Sequence, residues 1–106
     1  MAPDGANVLA ALGDPTRRHV LDRLTERGPS SASALVAEVD ISRQGLTKHL
    51  TALVDAGVLT TARAGREVRY AVNPAALEAA SRWLDARARQ WEAQLAALRQ
   101  LAEGDG

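Results

Sequence analysis

The stretch SASALVAEVDISRQGLTKHLTALVDAGVLTTARAGREVRYAV, residues 31–72, decides the fold. Ser30 or Ser31 can cap a short helix carrying Leu35, Val36 and Val39. Asp40-Ile41 makes a brief break, and Ser42 caps a second helix. The apolar stripe of that helix, Leu46, Leu50, Leu53 and Val54, has the i, i+4, i+7, i+8 spacing of one buried face. Gly57 ends it as a C-terminal cap would. Two runs follow, Val58–Arg63 and Val68–Val72, around the Gly-bearing turn Ala64-Gly65-Arg66-Glu67. The second alternates, with Val68, Tyr70 and Val72 on one face and Arg69 and Ala71 on the other, so the pair reads as a β-hairpin.

Upstream, Val8, Leu9 and Leu12 make a short helical stripe that ends at Gly13. Asp14-Pro15 supplies an N-cap and a proline at the first helical position, and Val20, Leu21 and Leu24 continue the next helix until Gly28-Pro29. Downstream, Asn73-Pro74 opens a long final helix. Leu77, Leu84, Trp91 and Leu98 recur every seven residues, and Ser81, Ala88, Leu95 and Ala102 form a second row, together a heptad-like seam. Fraying is expected over Met1–Ala6 and again at Gly104-Asp105-Gly106. The reading is a mainly α fold with a small β-hairpin, in the order α-α-α-α-β-β-α. It is a winged helix-turn-helix in which residues 1–106 form a single domain, since so short a chain has no room for a second core. The helix-turn-helix spans about 31–56, the wing about 58–72 and the last helix about 74–102.

Composition removes several function classes. There is no cysteine, which excludes disulfides, thiolate catalysis and thiolate metal sensing. No run approaches the roughly 20 apolar residues of a membrane span, and no signal-peptide pattern opens the chain, so a cytoplasmic location is expected. No phosphate-binding glycine loop and no Ser-His-Asp constellation points to catalysis. Net charge is zero, which gives nucleic-acid binding no help as a sum. Its distribution does: residues 41–72 hold Arg43, Lys48, Arg63, Arg66 and Arg69 against Asp55 and Glu67, a net +3 that leaves −3 for the rest.

A helix enters the DNA major groove when its outward face is polar and its inward face is anchored. Leu46, Leu50 and Leu53 supply the anchor, and Arg43, Gln44, Thr47 and Lys48 the polar face near the N-terminus, the end that reaches base edges. Arg suits guanine, Gln suits adenine, and the Thr methyl suits thymine. Ser42 and the helix dipole can hold a phosphate. On the wing, Arg63 and Arg66 lie near the tip, within reach of backbone or minor groove, and Arg69 points away from the core. Each piece alone is usually just a solvated surface; their order along the chain carries the argument. A winged helix that binds a protein instead would show apolar residues where Arg43, Gln44, Thr47 and Lys48 stand.

Ala11-Leu12-Gly13-Asp14-Pro15-Thr16-Arg17-Arg18 resembles the opening of the ArsR/SmtB-type regulators. Ile41–Leu50 is similar to their recognition helix, Leu53–Leu59 to the segment after it, and Gly65–Tyr70 to their wing. The resemblance implies a homodimeric repressor that joins through its first and last helices and reads an inverted repeat in double-stranded operator DNA. Val8, Leu9, Leu12, Leu77, Leu84, Ala88, Trp91, Leu95 and Leu98 are the expected dimer-interface residues; the alternative is a last helix folded back on its own core. His49 stands at the family's histidine in this helix and is expected at a phosphate or in the helix packing.

The chain departs from metal-sensing relatives: Ala34–Asp40 carries no thiol pair, and the last helix offers Glu78, Asp85 and Glu92 but no histidine. No metal and no cofactor are expected, and an unidentified small-molecule effector is one way such a regulator is released. Gly45 sits inside the recognition helix at a cost of about 1 kcal/mol. Close approach to DNA and a small slot against a neighbouring helix both account for it.

Overall fold

The computed structural model describes residues 2–104. Helix α1 spans Gly5–Ala11, α2 Pro15–Arg27, α3 Ala32–Val36, α4 Arg43–Asp55 and α5 Pro74–Gly104. Strands β2 (Leu59–Ala64) and β3 (Glu67–Val72) form the hairpin, and a two-residue strand β1, Ser30–Ser31, completes a sheet in the order β1-β3-β2. The expected architecture is present with β1 added. Ser30 pairs with Tyr70 and Ser31 with Arg69, so β1 fixes the wing to the start of α3.

The caps form as the sequence dictates. Asp14 Oδ1 accepts from the N–H groups of Thr16 and Arg17, and Ser42 Oγ accepts from Gly45 N at 3.0 Å. Gly65 has φ +66° while Arg66 does not share the left-handed region, which makes Gly65-Arg66 a two-residue turn of the II′ kind that suits a twisted hairpin. The start of the chain is more ordered than expected: Asp4 caps α1, and Gly5 and Ala6 are helical. The far end likewise continues as helix through Gly104, whereas Met1, Asp105 and Gly106 lie outside the described residues.

Val8, Val20, Leu24, Leu35, Leu46, Leu50, Leu53 and Leu59 are fully enclosed and form the centre of the core. Each such side chain is worth about 1.5–3 kcal/mol of burial. The sequence places Val8 among the dimer-surface residues. It is instead 0% exposed inside this core and has nothing to offer a partner, while Leu9 and Leu12 are half-buried against the same core. Helix α5 buries only Ala76, Ala79 and Ala80. At about 1.5 Å per residue it runs about 46 Å, and the molecule is drawn out to 70 Å with a radius of gyration of 18.9 Å. A compact chain of this length has about 13 Å. The last helix therefore does not fold back on its own core.

Candidate nucleic-acid interface

Helix α4 is anchored by Leu46, Leu50 and Leu53 and presents Ser42, Arg43, Gln44, Thr47 and Lys48 to solvent. The wing extends Arg63, Arg66 and Arg69, all exposed, from its two strands and turn. Arg63 pairs across the sheet with Val68, and alternation puts both on the face that carries Tyr70. Arg69 stands on the opposite face. There it is 3.8 Å from Glu67 Oε2 and lines a surface hollow with Arg27, Pro29 and Ala34, at the junction of α2 and α3, to which α4 contributes nothing. The sequence-predicted residues thus fall into two groups, one around α4 and the wing tip and the other, Arg69, behind the wing.

His49 is half-buried and turned toward α2, where its Nδ1 accepts from Arg17 Nε at 3.2 Å. That bond ties the first turn of α2 to the middle of the recognition helix. Asp14 belongs to the same corner. Desolvation at the cap pushes its carboxyl up, but the N–H bonds from Arg17 and Thr16, with the positive charge of Arg17 beside it, outweigh this and hold it below the ordinary 3.8. Gly45 has a single neighbour where a Cβ would stand, Ser42 Oγ at 3.2 Å. No other helix comes near, so the slot against a neighbouring helix is absent and the glycine spares the capping hydroxyl.

Two cross-links between elements have no signal in the sequence. Ser33 Oγ accepts from Arg43 Nη1 at 2.9 Å, anchoring that guanidinium to α3. Asn73 donates from Nδ2 to Gly57 O at 2.9 Å while its Oδ1 accepts from Ala75 N, joining the wing root to the start of α5. Neither has a periodic signal, although Asn73 stands out before Pro74 as a cap. Among the described residues no group of three His, Asp or Glu side chains converges as a metal site, and no helix is long and apolar enough to cross a membrane.

A short helix, a tight turn, an anchored helix with a polar outer face and an Arg-bearing hairpin define a winged helix-turn-helix DNA-binding regulator. Comparison with known proteins agrees. Residues 12–62 match the family described as a helix-turn-helix domain. The transcriptional repressor SdpR of Bacillus subtilis is 33% identical over 78 residues, covering 74% of this chain and 86% of SdpR. The HTH-type transcriptional regulator Rv2034 of Mycobacterium tuberculosis is 32% identical over 96 residues, covering 91% and 86%. Among solved structures, an ArsR-like transcriptional regulator from Rhodococcus sp. RHA1 superimposes with a TM-score of 0.80 at 40% identity, over 92% of both chains. The chain belongs to the ArsR/SmtB-type family of winged helix-turn-helix transcriptional regulators.

Proposed function

We propose that this regulator acts as a homodimeric repressor that occupies an inverted-repeat operator, with one α4 in each half-site. The observation that carries the reading is the uncovered seam of α5. Leu77 is 60% exposed and Trp91 72%, and Leu84, Leu95 and Leu98 lie exposed along the same helix, with Ala88 between them. A stripe of large apolar side chains over about six helical turns is not left in water without a partner. A second copy matches it in length and spacing, and a two-fold dimer gives two recognition helices the symmetry of a palindrome. The relative SdpR is named a transcriptional repressor, and a dimer this small represses by covering promoter DNA.

The test combines sedimentation with titration of labelled duplexes, an inverted repeat and a single half-site, at two salt concentrations. A dimer that prefers the inverted repeat and loses affinity steeply with salt supports the proposal. A monomer that binds one half-site as well as two would overturn it.

A further inference from the structure

A DNA strand is a ridge of phosphates that separates a major groove from the adjacent minor groove. A protein that places α4 in one groove and a wing tip in the next must straddle that ridge, so the hollow between α4 and the wing is where the ridge has to lie. In this protein the hollow is a polar concavity of 390 Å³. Arg43 and Thr47 come from α4, Arg66 and Glu67 from the wing tip, Ser31 from β1 and Ser33 from the start of α3, with Val68 and Tyr70 of β3 beside them. Gln44 and Lys48 do not line it.

We propose that this hollow seats one phosphodiester group of the DNA backbone, clamped between Arg43 and Arg66, with Ser33 as the residue that positions Arg43. The proposal rests on the operator reading above and reassigns Arg43 from base edges to backbone. Its donors are all accounted for. Arg43 gives one N–H to Ser33 Oγ and keeps the rest of its fork, and Arg66 has no hydrogen-bond or ion-pair partner among the described residues. Ser31 Oγ accepts from Ala34 N and Ser33 Oγ accepts from Arg43, so both hydroxyl protons stay available. Thr47 spends its proton on Arg43 O and offers the hollow no donor. Glu67 also lines the hollow and opposes an anion, with Arg69 Nε 3.8 Å from its Oε2 offsetting part of that charge. A planar guanidinium held at one nitrogen suits a phosphate that presents two oxygens side by side. The same tether directs Arg43 toward α3 and leaves base reading to Gln44 and Lys48.

The experiment selects duplexes from a random-sequence library with the full-length protein and with Arg43→Ala, Ser33→Ala, Ser33→Thr and Gln44→Ala, all checked for native helical signal. Affinities for the selected duplex are then measured across salt. Arg43→Ala is expected to select the same consensus, with the log–log salt slope of the dimer, which loses one phosphate contact in each half-site, flattened by about 1.8. Its deficit should then shrink about twelvefold between 50 and 200 mM salt. Ser33→Ala should weaken binding severalfold without altering the consensus, and Ser33→Thr, which keeps the hydroxyl, should restore it. A neutral methylphosphonate at the clamped position should weaken wild type by more than it weakens Arg43→Ala, which keeps Arg66 at the same phosphate, and an equal loss in both would overturn the clamp. A consensus changed at one base by Arg43→Ala overturns the clamp while the operator reading stands. Absence of any selective, salt-sensitive binding by wild type overturns both.

Discussion

Replacing Gly5 by alanine tests the joint between the first and last helices. A Cβ at this position would meet the backbone carbonyl oxygen of Ala79 far inside van der Waals contact and the Cβ of Trp83 at 2.7 Å. Ordinary contact begins at 3.4 Å, so α1 has to retreat from α5 by about 0.7 Å or more. The carbonyl cannot yield, because it belongs to the hydrogen-bond ladder of a 31-residue helix. Overpacking of this kind costs about 1–3 kcal/mol. A second route gives a similar figure: releasing α1 altogether exposes Val8 and Ala11, worth about 2–3 kcal/mol of burial. Alanine returns about 0.4–1 kcal/mol through the unfolded chain. The net loss is then about 1–2 kcal/mol, which at roughly 4–8 °C per kcal/mol lowers the melting midpoint by about 10 °C. The assay is thermal and urea unfolding at one fixed protein concentration, since self-association shifts the midpoint. Gly104→Ala, where a Cβ meets nothing within 4 Å, is the control and should match wild type or exceed it. Equal stability of Gly5→Ala and wild type would refute the close approach of α1 to α5.

Gln44→Ala should change operator preference at one base position by about 1–3 kcal/mol; an unaltered preference profile would remove Gln44 from the reading set. Leu98→Glu places a charge in the α5 seam and should weaken self-association at least about tenfold by sedimentation equilibrium while far-UV CD stays native. Because Asp14 titrates below its ordinary 3.8, its contribution to stability is complete above that value and is lost as pH falls through the lower folded one. Acid unfolding curves should therefore be shallower for Asp14→Asn than for wild type over that range, and parallel curves would count against the cap. Asn73→Ala cuts the side-chain link between the wing root and α5 and should relax discrimination between operators differing by one base pair in half-site spacing. Spacing discrimination equal to wild type would show that the link is dispensable.

The elements legible in the sequence were those with a local signature. Asp14-Pro15, Ser42 and Asn73-Pro74 announce helix starts because their chemistry acts within three residues, and the Leu46, Leu50 and Leu53 stripe announces a buried face through its period. What stayed hidden joins distant positions without a period. The Arg17–His49 bond spans 32 residues and the Arg43–Ser33 bond 10. Strand β1 is two serines whose partners lie on β3, with no alternation to mark them. Val8 shows a different limit. Periodicity says that one side of a helix is apolar but not which body covers it, and α1 spends Val8 on its own core. On α5 the same kind of stripe is left open, and only the fold distinguishes the two cases. The hairpin register was likewise approximate, because Arg63 and Ala64 are as compatible with a turn as with a strand end until Ala64 is seen opposite Glu67.

In the proposed dimer the molecule divides into a reading end and an associating end, joined at the wing root and where α1 packs on α5. Asn73 N donates to Val58 O at 2.8 Å, its side chain bonds Gly57 O, and Pro74 begins α5 immediately afterwards. Gly57, at φ +79°, ends the recognition helix at this same point. The orientation of α4 relative to α5 is therefore set at this joint together with the packing of α1, which lies against α5 at Gly5 and shares the core with α4. In the proposed dimer α5 fixes the two-fold axis, so this joint fixes the distance and angle between the two recognition helices. An inverted repeat is recognised by that distance as much as by its bases, since half-sites are read about one helical turn, 34–36 Å, apart. A change at the joint moves both recognition helices at once and in opposite directions, whereas a change in α4 alters one contact in each half-site. Affinity for the whole operator then depends on residues 57, 58, 73 and 74 and on the seat of α1 against α5, where no DNA contact needs to be lost for binding to fail.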